Sequence, residues 1–219
     1  MPESHTLVIF DIDGTLLHST GAHHGALTRA LHDFELDPHV KPWADYRHYT
    51  DSGVLDELLQ DHHGVGASAE QLQRLDQLMA HYYETLSLAE PVLEVAGARA
   101  LLAAVMAAPH MSVAFASGSM GGAVRLKLAS LGLDSHRLNV RNGSHALSRA
   151  DIVQGVMLGS EGTRRVILGD GRWDEMTARA LEIPFIAVQT GLHQFGSGPL
   201  LVLDDLQTLT VDTLRRLAA

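Results

Sequence analysis

Residues 6–17 read Thr-Leu-Val-Ile-Phe-Asp-Ile-Asp-Gly-Thr-Leu-Leu, and the fold is read outward from them. Leu7 to Phe10 is a short apolar run rich in branched side chains, the composition of a strand buried in a parallel sheet. The strand ends in acid. Asp11 and Asp13 are two residues apart, so on extended backbone both carboxylates leave the same side. Asp13-Gly14 is a turn dipeptide that stops the strand there. Ligands of open α/β sheets bind beyond the carboxyl ends of the strands. Two carboxylates converging at such a place repel one another and are costly to keep ionised without a cation. Oxygen donors of this kind favour a hard divalent ion, magnesium above all. A calcium-binding EF-hand loop starts the same way, but begun at Asp11 it would need Gly at its sixth place and Glu at its twelfth. The chain has Leu16 and Ala22 there, which excludes it.

The totals narrow the class. A length of 219 residues allows one good-sized core, or a core with a small insertion. A net charge of −10 would repel a polyanion, so nucleic acid is not an expected partner. Without cysteine there is no disulfide framework and no thiolate metal site. Met1-Pro2-Glu3-Ser4-His5 lacks the basic flank and apolar run of a signal peptide. The most apolar region, Pro91 to Pro109, is interrupted by Glu94 and Arg99, too short and polar to span a bilayer. A soluble cytoplasmic protein without a membrane partner is expected. The 14 His are scattered. The adjacent pairs His23-His24 and His62-His63 point apart on a helix, so they are expected to be surface or core side chains and not zinc ligands.

Periodicity divides the rest. Ala26, Leu27, Ala30, Leu31 and Phe34 recur at helical spacing within Ala22 to Leu36, and Asp37-Pro38 with Pro42 predicts a loop to Arg47. A second helix is expected from Ser52 or Gly53 to near Gly64. A third starts at Ser68, which forms a capping box with Gln71, and ends before Glu90-Pro91. Residues 17–90 thus predict helices without a strand. Beyond Pro91 helix and strand alternate, the sign of a wound α/β sheet. Strands are expected at Ser112–Ala116, Leu138–Val140, Arg165–Leu168, Pro184–Val188 and Leu200–Leu203. Helices are expected at Gly97–Ala108, Ala123–Leu131, Asp151–Leu158, Met176–Leu181 and Asp205–Leu217.

Two later strand ends carry polar groups. Ser117-Gly118-Ser119 follows Ala116 and leads into a helix, where a hydroxyl and free N–H groups converge on an anion. Gly169-Asp170-Gly171-Arg172-Trp173-Asp174 places one acid at a strand tip and another four residues on. Taken with these, Asp11-Ile12-Asp13-Gly14-Thr15-Leu16 resembles the first motif of the haloacid dehalogenase superfamily. Ser117 matches its second motif, and the Asp170/Asp174 stretch resembles its fourth. The resemblance implies a Rossmann-like parallel sheet, residues 1–16 and 91–219, with residues 17–90 inserted as a small all-helical cap domain. It also implies roles. Asp11 is the covalent nucleophile and Asp13 the general acid/base. Magnesium is held by Asp11, the Asp13 main-chain carbonyl and Asp170. Ser117, the Gly118 N–H and a cation hold the phosphoryl oxygens, while Asp174 orients that cation or the metal's water. The usual Lys-Pro of the third motif is missing, so Arg149, just before a helix, takes its place, with Arg141 as the substitute. Lys127, mid-helix among apolar neighbours, is expected to snorkel to solvent.

An acid at position 13 separates this pattern from the dehalogenase branch, and a cap whose only lysine is Lys41 separates it from the phosphonate-cleaving branch. The expected activity is magnesium-dependent hydrolysis of a small phosphorylated metabolite through an aspartyl-phosphate. A sugar phosphomutase and a non-catalytic magnesium or phosphate-binding module are the alternatives. Tyr49-Thr50-Asp51 resembles a stretch of many helical caps, with His48 where Gly is usual. Those three residues and Thr20 are expected either to touch the leaving group or merely to cap the second helix.

Overall fold

β1 (Thr6–Phe10) lies in the middle of a six-stranded, all-parallel sheet in the computed structural model of residues 5–191 and 193–219. Met1 to Ser4, which bear on the signal-peptide expectation, lie outside the described residues, as does Leu192. Beside β1 on one side are β2 (Met111–Ala116) and β3 (Asn139–Arg141). On the other are β4 (Arg164–Gly169), β5 (Phe185–Val188) and β6 (Leu201–Leu203). The order β3-β2-β1-β4-β5-β6 reverses direction at β1, and it is at such a switch point that a crevice opens beyond the strand ends.

Side chains alternate across the sheet with period two. Leu7 and Ile9 enter one core layer with Ala114, Ile167 and Phe185, and Val8 and Phe10 enter the other with Phe115, Val166 and Leu168. The first layer is covered by α6 (Arg149–Met157) through Ile152, Val153 and Val156, and by α7 (Arg172–Ala180) through Ala178. The second is covered by α4 (Ala98–Ala107), α5 (Gly121–Ser130) and α8 (Val211–Leu217). Burying a side chain such as Phe10 is worth roughly 1.5–3 kcal/mol, so β1 and its neighbours form a rigid base for the residues that follow them.

Between β1 and β2 come α1 (Thr20–His32), α2 (Asp51–His63) and α3 (Ala69–Ala89), with two short 3-10 turns in the stretch expected to be loop. The predicted capping box is present. Ser68 N–H donates to Gln71 Oε1 at 2.8 Å and Gln71 N–H to Ser68 Oγ at 3.2 Å. The three helices bury Leu27, Leu31, Val54, Leu55, Leu58, Leu75, Met79 and Tyr83 together, and Met120 and Ala123 at the start of α5 join the same cluster. Polar contacts dock them further. Asp51 N–H donates to Gly118 O, Met120 N–H to Asp51 Oδ2 and Thr50 Oγ to Leu147 O, at 2.9, 2.8 and 2.5 Å.

Two helices differ from expectation at their starts by four residues or more. α7 begins four residues before Met176, because Gly171 serves as its N-cap and Asp174 fits the first turn. α8 begins only at Val211 and not at Asp205. Asp205 instead accepts the Gln207 N–H at 2.8 Å, the local bond by which Asp competes with helix, and Thr210 caps the helix by accepting from Thr213 N–H. None of the described helices is long and apolar enough to cross a membrane.

Candidate active site

Phe10 pairs in register with Phe115 of β2 and Leu168 of β4, so the segments leaving three adjacent strands emerge side by side. They carry Asp11, Ser117 and Asp170. Asp11 N–H still donates to Leu168 O at 3.0 Å and Ser117 N–H to Arg141 O at 3.1 Å, which fixes both residues to the sheet edge. Gly14 has a φ of +80°, open to glycine at little cost. A Cβ there would come within 2.0 Å of Asp170 Oδ2, so the turn after β1 must be bare for Asp170 to sit against it.

Asp11, Asp170 and Asp174 each offer one carboxylate oxygen to a cluster in which all three atoms lie within 4.8 Å of one another. All three side chains are buried. Burial, opposed by Arg149 and assisted by Asp174 and Asp13, pushes the Asp11 carboxyl up to about 7. Burial and the neighbouring Asp11 and Asp174 carry Asp170 well above its ordinary value, and burial raises Asp174 as well. Three oxygen donors whose ionisation is resisted by burial and by one another are a fit seat for a hard divalent cation. The resemblance gives Asp174 an orienting role toward Arg149 or the metal's water. In the structure α7 starts early and turns Asp174 into the cluster itself, where it also accepts Gly171 N–H at 3.1 Å.

Arg149 is the cation beside this cluster. Ser148 caps α6 by accepting Asp151 N–H, which makes Arg149 the first helical residue and points it across the sheet edge. Its guanidinium lies 2.9 Å from Asp11 and 3.4 Å from Asp174. Burial opposes its charge, but Asp174 and Asp11 hold its pKa above the ordinary arginine value. Arg149 Nε is buried without a hydrogen-bond partner and lies near Gly118. Buried donors are rarely left so, and an anionic oxygen beside Ser117 and Gly118 would complete it. Arg141, the substitute for this role, instead packs its side chain over Gly155.

Lys127 corrects the sequence expectation. It does not snorkel: its side chain is wholly buried, with Nζ 2.6 Å from Asp13 Oδ2, 2.7 Å from Ser119 Oγ and 4.9 Å from the Tyr83 ring centre. Ser119 also donates to Asp13 Oδ2, and Ser19 to Oδ1. Burial works against the Asp13 charge, yet Lys127 and then His23 draw its pKa well below the usual carboxylate range. The Asp13 side chain therefore stands outside the acid cluster, ionised and fully hydrogen bonded.

Opposite these groups lie α1 and α2. Thr20, Tyr49, Thr50 and Asp51 line a cavity of about 70 Å³ with Asp13, Ser117, Gly118, Arg149, Asp170 and Asp174. Thr50 also caps α2, the second of its two expected parts, by accepting Gly53 N–H at 3.0 Å. His23, His24, Trp43 and Trp173 line the cavity too and were not foreseen. His23 lies 3.1 Å from Asp51, and His24 stacks on Trp43, 4.9 Å between ring centres. Only the high local density of His in α1 signalled them.

The haloacid dehalogenase-like hydrolase family matches residues 8–188, from β1 to the end of β5. The chain belongs to the haloacid dehalogenase-like hydrolases. Within this family it is 27% identical over 215 residues to a phosphoglycolate phosphatase of Rhodospirillum rubrum, covering 92% of this chain and 88% of the relative. Its fold is similar to that of a hydrolase from Pseudomonas syringae, with a TM-score of 0.74, 23% identity, and coverage of 98% of this chain and all of the other. It is also similar to CbbY from Rhodobacter sphaeroides, solved in complex with phosphate, with a TM-score of 0.66, 15% identity and coverage of 96% and 99%. This hydrolase thus carries its acids, its serine and its arginine on the wound sheet these proteins share.

Proposed function

We propose that this hydrolase is a magnesium-dependent phosphatase acting on a small phosphomonoester. The observation that carries the proposal is Arg149 Nε, a buried donor without a partner, set between the acid cluster and the Ser117 loop. Asp11 is the nucleophile: its carboxylate attacks phosphorus, the ester oxygen leaves, and an aspartyl-phosphate forms. Ser117, the Gly118 N–H and Arg149 hold the transferring oxygens as charge moves among them. Asp13, ionised at rest, relays a proton from solvent to the leaving alcohol and then takes one from the water that hydrolyses the aspartyl-phosphate. The Lys127 pair, which keeps Asp13 ionised, equips it for the second half of that cycle. Asp11, Asp170, Asp174 and the Asp13 main-chain carbonyl would hold magnesium, which when bound neutralises carboxylate and phosphoryl charge. The three helices of residues 17–90 act as a cap that shields the reaction from water.

Purified protein is expected to release inorganic phosphate from p-nitrophenyl phosphate with magnesium and to stop in EDTA. Phosphate that moves between positions of a sugar without release would identify a mutase instead. Metal linkage supplies a second check. Asp11 is pushed up to about 7, above its unfolded value of 3.8, so the metal-free fold holds that proton more tightly than the unfolded chain does. Its contribution to stability is complete below about pH 4 and lost as pH rises through 7. Magnesium at a hundredfold excess over its Kd should restore about 2.7 kcal/mol at pH 8, a rise of about 5–10 °C in Tm for a chain of this size. At pH 5, where the cluster holds protons, the rise should be much smaller. Melts at both pH values test this, and equal shifts would place the ion elsewhere.

A further inference from the structure

On its leaving-group side the cavity offers no free cation among the described residues: His23, which also lines it, is held 3.1 Å from Asp51. Asp13, Asp51, Asp170 and Asp174 all line it, and Arg149 is the only Lys or Arg that does so among the described residues. Arg149 is committed: two of its nitrogens face Asp11 and Asp174, and the third lies by Gly118, beside the proposed phosphoryl site. Lys127 is walled off by Asp13 and Ser119. His24, whose pKa burial and then His23 push down to about 4, adds no charge near neutrality.

What remains to meet the leaving group is ring surface with the uncharged polar side chains of Thr20 and Thr50 beside it. Tyr49 stacks on Trp173 with ring centres 3.7 Å apart and planes at 17°, and His24 stacks on Trp43 at 10°. Tyr49 Oη and His24 Nε2 meet at 3.1 Å, which gives this wall a donor and acceptor. Leu27 and Val54 fill in beside them. Such a wall suits carbon and hydroxyl groups, whereas a carboxylate or second phosphate would find no free cation there among the described residues and would lie beside the Asp51 and Asp13 carboxylates, each of which already holds its own partner.

Resting on the phosphatase reading, we propose that the substrates of this site are phosphomonoesters of uncharged alcohols, and that a second anionic group on the leaving side is rejected. Phosphoglycolate, in the name of the Rhodospirillum relative, carries such a group and is on this account a poor substrate here.

Matched pairs test it with the full chain and magnesium. 2-Hydroxyethyl phosphate differs from phosphoglycolate in having a CH₂OH where the other has a carboxylate, and glycerol 3-phosphate differs likewise from 3-phosphoglycerate. In both pairs kcat/KM is expected to favour the uncharged member by about tenfold or more, the scale of one like-charge contact after screening. Asp51→Asn should narrow both ratios by raising activity on the acid-bearing member. Equal or reversed ratios in the unaltered protein overturn the proposal and leave the phosphatase reading standing. Ratios that Asp51→Asn leaves unmoved overturn the assignment to site charge. If no ester is hydrolysed, p-nitrophenyl phosphate included, the phosphatase reading itself falls.

Discussion

Asp11→Asn is expected to lower kcat by about 10⁴-fold or more, the scale seen when a nucleophile that acts in concert with its neighbours is removed. The amide keeps the size and shape of the carboxylate but cannot form the acyl phosphate. The fold should not suffer. Asp11 is an acid that its buried surroundings push up to about 7, so in metal-free protein near neutrality an uncharged group at this position relieves Asp170 and Asp174 of a like charge. The variant should therefore melt no lower than the parent in EDTA, and should lose much of the magnesium-induced rise in Tm. Steady-state phosphate release and paired melts measure both. Ordinary turnover by Asp11→Asn would end the covalent account whatever else the site contains.

Lys127→Met should be the most destabilising conservative change in the molecule. Met matches the length of the lysine stem but leaves the Asp13 carboxylate, held down by that ammonium, without its charge partner in a largely dry setting. Removing one member of a buried ion pair costs about 3–5 kcal/mol, because the other charge stays behind. For a chain of this length that is a fall of about 6–20 °C in Tm. Adding Asp13→Asn should recover part of the loss, since neutralising both partners removes the orphaned charge. A Lys127→Met protein within about 1 kcal/mol of the parent would mean that solvent reaches this ammonium after all.

The acids at the strand ends were legible for a simple reason. Strand period and turn chemistry are local, so Asp11 at the end of Leu7–Phe10 and Asp170 at the end of Arg165–Leu168 could be placed without knowing what lay beside them. Arg149 was placed by the resemblance, which calls for a cation just before that helix. The capping box at Ser68 and Gln71 is likewise local, and it is present as expected.

Lys127 was misread because two of its three partners come from distant segments. Asp13 follows β1, Ser119 follows β2 and Tyr83 belongs to α3. An isolated lysine among apolar neighbours does snorkel; only a carboxylate delivered from more than a hundred residues away keeps this one inside. The start of α7 was placed one turn late, because it depends on Gly171 serving as the helix cap. His23 and His24 passed as ordinary side chains since their meaning depends on α1 lying against the Tyr49–Asp51 segment, which periodicity does not report.

Sequence by itself determined the kind of chemistry: carboxylates, a serine and an arginine at the carboxyl ends of strands in a wound sheet, because strand period and turn propensity act over a few residues. Tertiary structure alone decided which of those charges are satisfied and which are left wanting. Burial and Coulomb interaction depend on distance in space, and that is why Asp13 is quieted by a lysine while Asp11, Asp170 and Asp174 crowd one another around a single arginine.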